Sequence, residues 1–231
     1  SQLQSFMSCK QKWKYAYIDN LTPRVDRAYL TVGKLCHRGM QVAMQALWGF
    51  PKSTFDQLLQ VGLDAMYEEG EAYVDGTALL PEELPEIQQM RHDAAEVFAQ
   101  ALEEFDPLKY EIASVVKDGK TAPALELHFE VPCVNGVRMH GFIDAILKDK
   151  ETGFTWCADV KIRTRLSPDE DEAFNIQNAV YAHTCTKMGI EITGTMTWQH
   201  VNTPAADPAI LKDGKISRAK IKTTWKHFEQ F

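Results

Sequence analysis

The sequence predicts an α/β fold: a mixed sheet core flanked by helices and preceded by an N-terminal helical region. Three observations carry that prediction. Apolar residues recur at spacings of three and four through residues 1–104, they alternate with polar ones from Leu125 onward, and helical spacing returns at 170–188 between two stretches of strand character. A helix between strands of one sheet is the pattern of a crossover.

In the first region Tyr29, Val32, Leu35, Met40, Ala43, Met44 and Leu47 form one apolar stripe, and Phe55, Leu58, Leu59, Gly62, Leu63 and Met66 form another. Proline and glycine punctuate them. Pro23 precedes the first of these helices, Gly49-Phe50-Pro51 ends it, Thr54 is placed to cap the next, and Pro81-Glu82-Glu83 opens one running through Ile87, Met90, Ala94, Val97, Phe98 and Leu102.

The period then changes to two. Leu125, Leu127, Phe129 and Val131 face one way and Glu126, His128 and Glu130 the other, a half-buried strand. Asn135-Gly136 is a hairpin turn signal, so residues 125–132 and 137–147 pair. The turn at 149–153 leads to a third strand, 154–162, with Phe154, Trp156, Ala158, Val160 and Ile162 on one face and Thr155, Cys157, Asp159 and Lys161 on the other. Residues 170–188 follow as a helix with Phe174, Gln177, Val180 and Tyr181 on one stripe, and 192–201 as a further strand.

With 231 residues, 45% of them apolar and 25% charged, the chain can bury a full core, and one domain over 1–231 is expected: helical region 1–104, α/β core 125–201, basic C-terminal segment 212–231. A net charge of −7 excludes non-specific adhesion of the whole surface to nucleic acid or acidic membranes, so any anion must meet a local patch. One such patch is the stretch 212–226, where Lys212, Lys215, Arg218, Lys220, Lys222 and Lys226 face only Asp213; it reads either as a solubilising helix or as a phosphate-tracking surface. Lys10, Lys12, Lys14, Arg24 and Arg27 form a second set, interleaved with Trp13, Tyr15 and Tyr17, which read either as core residues or as rings that stack on bases. Five cysteines without a CxxC pair argue against a disulfide scaffold or structural zinc. No segment reads as a signal peptide or membrane span, and an intracellular protein is expected. The chain starts at Ser1 without an initiator methionine, as a fragment would.

Three polar groups interrupt apolar strands: Asp144 in Gly141-Phe142-Ile143-Asp144-Ala145-Ile146, and Asp159 with Lys161 in Ala158-Asp159-Val160-Lys161-Ile162. Buried charges are costly unless paired or bound to a cation. If the hairpin forms, Asp144 approaches Asp159 from the neighbouring strand, and two carboxylates repel unless a cation lies between them. Hard divalent cations take oxygen ligands. An Asp, Asp, Lys cluster therefore suits metal-assisted phosphodiester hydrolysis, the lysine orienting water or offsetting developing anionic charge. The bland alternative for Asp159 and Lys161 is a solvated ion pair.

Read in order, the motifs are Ser1-Gln2-Leu3-Gln4-Ser5-Phe6 with Cys9-Lys10-Gln11-Lys12-Trp13-Lys14-Tyr15, then Gly33-Lys34-Leu35-Cys36-His37, Glu126, Gly141-Phe142-Ile143-Asp144, Asp159-Val160-Lys161 and Gln177-Asn178-Ala179-Val180-Tyr181. This series resembles the PD-(D/E)xK nuclease superfamily, in the branch of RecB-type and phage-encoded exonucleases, over nearly the whole chain. The resemblance implies a restriction-endonuclease-like fold and a Mg²⁺- or Mn²⁺-dependent deoxyribonuclease acting as an exonuclease in phage or bacterial recombination or DNA processing. It implies that His37, Asp144, Asp159 and the carbonyl of Val160 ligate metal, that Lys161 is the catalytic lysine, that Gln177 and Tyr181 support the site or touch phosphate, and that Glu126 supports it. DNA is the implied substrate. A recombination or single-strand-annealing partner protein and a homo-oligomer fit such an enzyme, in the cytoplasm of a bacterial cell or phage-infected host and with no membrane partner.

Ile162 stands where the family often has threonine, with Thr164 two residues on. Some relatives carry an iron-sulfur cluster on one early and three late cysteines. Here Cys9 has the early place, but no cysteine follows Cys185, so no iron-sulfur cluster is expected. Glu130 competes with Glu126 on the same strand face, and a lone helical histidine such as His37 has a structural reading beside the ligand one. Gln177 and Tyr181 have an alternative as interfacial helix residues. A thiol hydrolase built on Cys36 and His37 fails because helix neighbours do not face each other. The competing class is a catalytically silent nucleic-acid-binding or assembly module with the same fold.

Overall fold

The computed structural model describes residues 2–21, 28–76, 84–105, 107, 109–117, 119–132, 136, 138–163, 175–203 and 222–230. The helices are α1 (Gln2–Ser8), α2 (Lys10–Tyr17), α3 (Ala28–Gly49), α4 (Phe55–Gly76), α5 (Leu84–Glu104) and, after six strands, α6 (Ile176–Lys187). The strands are β1 (Tyr110–Ile112), β2 (Ser114–Lys117), β3 (Lys120–Pro123), β4 (Leu125–Pro132), β5 (Arg138–Asp149), β6 (Thr155–Arg163), β7 (Gly194–Thr203) and β8 (Lys222–Gln230).

Thr54 caps α4 as expected: its Oγ1 accepts the N–H of Gln57 while the Gln57 side chain accepts the N–H of Thr54, a reciprocal capping box. Helices α3, α4 and α5 pack into one layer on the apolar stripes read from sequence. They approach closely at Gly62, where a Cβ would run into the ring of the fully buried Phe98. The segment 81–83 expected to open α5 lies outside the described residues, as do Pro23 and the start of the 170–188 helix. Asn175 caps α6 with its side chain on the N–H of Gln177, so the helix proper starts at Ile176.

The main sheet runs β1-β5-β6-β7-β8, with β4 also on β5. It is mixed: β6 and β7 are parallel, and the other pairs are antiparallel. The parallel pair is joined through α6, the crossover that the change of period predicted. Gly136 and Gly153 sit at φ +75° in the turns on either side of β5, a conformation open to glycine without strain. In the second turn Asp149 Oδ1 accepts the N–H groups of Glu151 and Thr152 at 2.9 Å, and the Thr152 amide foremost holds that carboxyl below its usual range.

The sheet separates two cores. Leu147, Trp156, Ala158, Val160 and Met196 pack against α3 and α5, while Phe129, Val131, Ile143, Ile146 and Cys157 pack against Tyr181 and Cys185 of α6. The alternation expected for β4 breaks at its first residue. Leu125 joins the helical-layer core and Leu127, two residues on, joins the other. The cause is Glu126 at φ +44°, a left-handed conformation uncommon for a side-chain-bearing residue. On β5 the same switch separates Ile143 from Ala145, so Glu126 and Asp144 mark one twist shared by two strands.

Strands β1, β2 and β3 fill a stretch to which the sequence assigns no element, and β8 adds a strand beyond 192–201. Lys222 and Lys226 lie on β8, antiparallel to β7, so this part of the basic tail is strand and not the solubilising helix; 204–221 lie outside the described residues. Among the described residues no helix is long and apolar enough to cross a membrane.

Candidate active site

The antiparallel ladder between β5 and β6 stops at Ala145↔Ala158. The next pair in that register is Asp144 and Asp159, where the strands part. Asp144 Oδ2 fills the gap by accepting the N–H of Val160 at 3.1 Å. A backbone donor that would otherwise lack a ladder partner is thus satisfied, and the carboxylate is fixed between the two strands.

Helix α3 delivers His37 to this fork, with Nδ1 3.6 Å from Asp144 Oδ2. Glu126 arrives from β4 through its positive φ. One ligand atom from each of His37, Glu126 and Asp144 lies within 4.8 Å of the others, and all three residues are partly buried. Burial, and after it the Asp144 charge, raises the Glu126 carboxyl above its usual range, against His37 and Arg38. Glu130 points elsewhere, forming an exposed pair with Arg138 at 2.5 Å.

Asp159 is only 1% exposed. Its Oδ1 accepts from Lys161 Nζ at 2.8 Å and from Gln177 Nε2 at 3.0 Å. Gln177 Nε2 also donates to the buried Tyr181 hydroxyl at 2.6 Å, so α6 braces the carboxylate through two residues one turn apart. The second oxygen, Oδ2, is buried with no hydrogen-bond partner. Burial pushes the Asp159 carboxyl up to about 6, with Lys161 opposing the rise and Asp144 adding to it.

An unpartnered buried carboxylate oxygen is expensive. The imidazole of His37 with the carboxylates of Glu126 and Asp144 is a donor set that suits a divalent cation, so these residues fit a metal. His37, Glu126 and Asp144 form the converging group, and Asp159 Oδ1 is engaged by Lys161 and Gln177. The Cys36 thiol beside His37 is fully buried and pushed up to about 12 by burial, which removes it as a nucleophile. Cys9 is exposed and caps α2 by accepting the Lys12 N–H.

A cleft of about 650 Å³ opens on this cluster, lined by Gly33, Lys34, His37, Arg38, Gln41, Glu69, Glu126, Asp144, Lys161 and Ile162. Lys34, Arg38 and Gln41 were not singled out from sequence. A signal existed: Lys34, His37, Arg38 and Gln41 recur at i, i+3, i+4 and i+7, a polar stripe on an otherwise apolar helix. Glu69 of α4 carried no such signal.

No curated protein matches the chain. The profile of the PD-(D/E)XK nuclease superfamily matches it over residues 1–230. Divalent metal is the general cofactor of that superfamily, and the donor set at the strand fork could hold one. The match spans almost the whole chain, and on that ground the protein belongs to the PD-(D/E)XK nuclease superfamily.

Proposed function

We propose that the chain is a Mg²⁺- or Mn²⁺-dependent DNA exonuclease of the RecB-type and phage branch, acting as one nuclease unit in recombination or DNA processing. The observation that carries the hydrolytic reading is the buried, half-satisfied carboxylate of Asp159 beside the converged His37, Glu126 and Asp144. The restriction to exonuclease action rests on the motif order in the sequence.

In this reading His37, Asp144 and Asp159 hold the ion, with the Val160 carbonyl, and Glu126 completes or supports the set. When bound, a divalent cation neutralises charge on the phosphate and acidifies water. The imidazole tilts preference toward the softer Mn²⁺. Lys161, anchored on Asp159 and lining the cleft, orients the attacking water in line with the scissile bond and offsets the charge that develops on the phosphate oxygens. Gln177 positions Asp159, and Tyr181 positions Gln177. Lys34 and Arg38 face the cleft from α3 and are suited to the flanking phosphates of the strand.

The test is incubation with end-labelled linear and closed circular DNA in Mg²⁺, Mn²⁺ or EDTA, beside Lys161→Ala. Metal-dependent loss of the linear DNA alone, absent in the variant, is the expected result. Cleavage of circles would make the enzyme an endonuclease, and no cleavage in any metal would favour the silent binding module.

A further inference from the structure

The first two helices carry a surface that the cleft does not use. On α2, Lys10, Trp13, Lys14 and Tyr17 fall at i, i+3, i+4 and i+7, so cations and rings alternate along one face. Phe6 of α1 meets Trp13 edge-on, with ring centres 5.1 Å apart, Trp13 and Tyr17 follow at 6.4 Å, and Lys10 Nζ lies 5.6 Å from the Phe6 ring centre. An amphipathic helix normally buries its aromatic stripe. Here no residue of α2 is fully buried: Trp13 is partly buried, and Phe6 and Tyr17 are 40% and 42% exposed.

The charge is one-sided. Residues 2–17 contain three lysines and no acid in a chain of net charge −7. Asp19 reaches Lys14 only at 3.9 Å, an exposed pair of little strength. Two exposed rings flanking a partly buried one, with ammonium groups beside them, match one kind of polymer closely: unpaired bases stack on the rings while their phosphates meet the lysines. A duplex hides its base faces and offers the rings nothing comparable.

We propose that the Phe6–Trp13–Tyr17 stripe, with Lys10 and Lys14, binds single-stranded DNA independently of the metal cluster. The proposal rests on the reading of the chain as a DNA nuclease for the source of the strand, but its test needs no cleavage.

Binding of a fluorescein-labelled oligo(dT) to the full chain is followed by anisotropy in EDTA. Trp13→Ala should weaken it roughly tenfold, the loss of one stacked base, and Trp13→Phe should restore most of that. Tyr15→Ala, an exposed ring off the stripe, should change it less than about twofold. Replacing Lys10 and Lys14 together by Gln should flatten the slope of log K against log salt by roughly 1.4. Circular dichroism of each variant checks the fold. Equal losses for Trp13→Ala and Tyr15→Ala, an equal loss of duplex binding, or capture by anionic phosphatidylglycerol vesicles in place of oligo(dT) would each overturn the proposal. Lys161→Ala assayed in parallel for cleavage separates the two readings: stripe-dependent binding with Lys161-independent cleavage defeats only the active-site assignment, and the converse defeats only this one.

Discussion

The two faces of β6 are made from alternate residues of one nine-residue strand, yet they are built oppositely. Trp156, Ala158 and Val160 sink into an apolar core against α3 and α5. On the other face Cys157 reaches α6, but Asp159 and Lys161 bring charge into the same protein interior, and one Asp159 oxygen has no partner. The first face contributes stability through area removed from water, and the second gives some of it up to keep a charged, half-satisfied carboxylate in the interior. Stability and chemistry are therefore separable by mutating neighbours in sequence.

The largest effect should come from the apolar face. Trp156→Ala is expected to lower stability by about 3–5 kcal/mol in urea unfolding, with metal-dependent activity per folded molecule retained; activity lost in the folded fraction would erase the distinction between the faces. On the polar face Lys161→Ala should reduce turnover by about 10² to 10³-fold, while the urea midpoint moves far less than for Trp156→Ala.

In the proposed reading, metal binds on the polar side of this strand pair. Mn²⁺ at a hundred times its dissociation constant should stabilise the wild type by about 2.7 kcal/mol, read as a rise in Tm. Asp144→Asn should lose most of that rise, and an undiminished rise would move the ion elsewhere.

Acid should act on the same site with a definite sign. The folded Asp159 carboxyl is raised to about 6 from 3.8, so it contributes stability that is full below 3.8 and lost as pH rises through 6. In EDTA the wild type should therefore gain on the order of 2 kcal/mol between pH 7 and pH 4 relative to Asp159→Asn, while metal-dependent cleavage falls as pH drops through about 6 because protons compete with the cation. Coincident pH–stability curves for the two proteins would refute the assignment. The smallest effect lies off both faces: Thr54→Ala should cost about 1 kcal/mol through the α4 cap, with cleavage per folded molecule unchanged.

Much of this arrangement was legible beforehand, for physical reasons that differ from residue to residue. β4 was placed at 125–132, as observed, because half-buried strands write their period directly into the chain. The turns at Gly136 and Gly153 were legible because positive φ selects glycine. β1, β2 and β3, of three or four residues, are too short to show a period, and pairing with distant partners makes them strands. Glu126 and Glu130 share one face of an ideal strand, and in the sequence it is the family resemblance that favours Glu126. Only the left-handed backbone at Glu126 turns one toward His37 and leaves the other to Arg138.

The sequence by itself determined the local terms: the periods of helix and strand, the caps and turns, and the presence of Asp144, Asp159 and Lys161 among apolar neighbours. These depend on residues within a few positions of one another. The tertiary structure alone decided which ligand atoms meet, that Gln177 and Tyr181 brace Asp159, and that Tyr17 stays in solvent and Trp13 is only partly buried when their spacing equally allowed a core. Those outcomes depend on where the β5–β6 ladder ends and on which faces find partners, quantities set by contacts between segments a hundred residues apart.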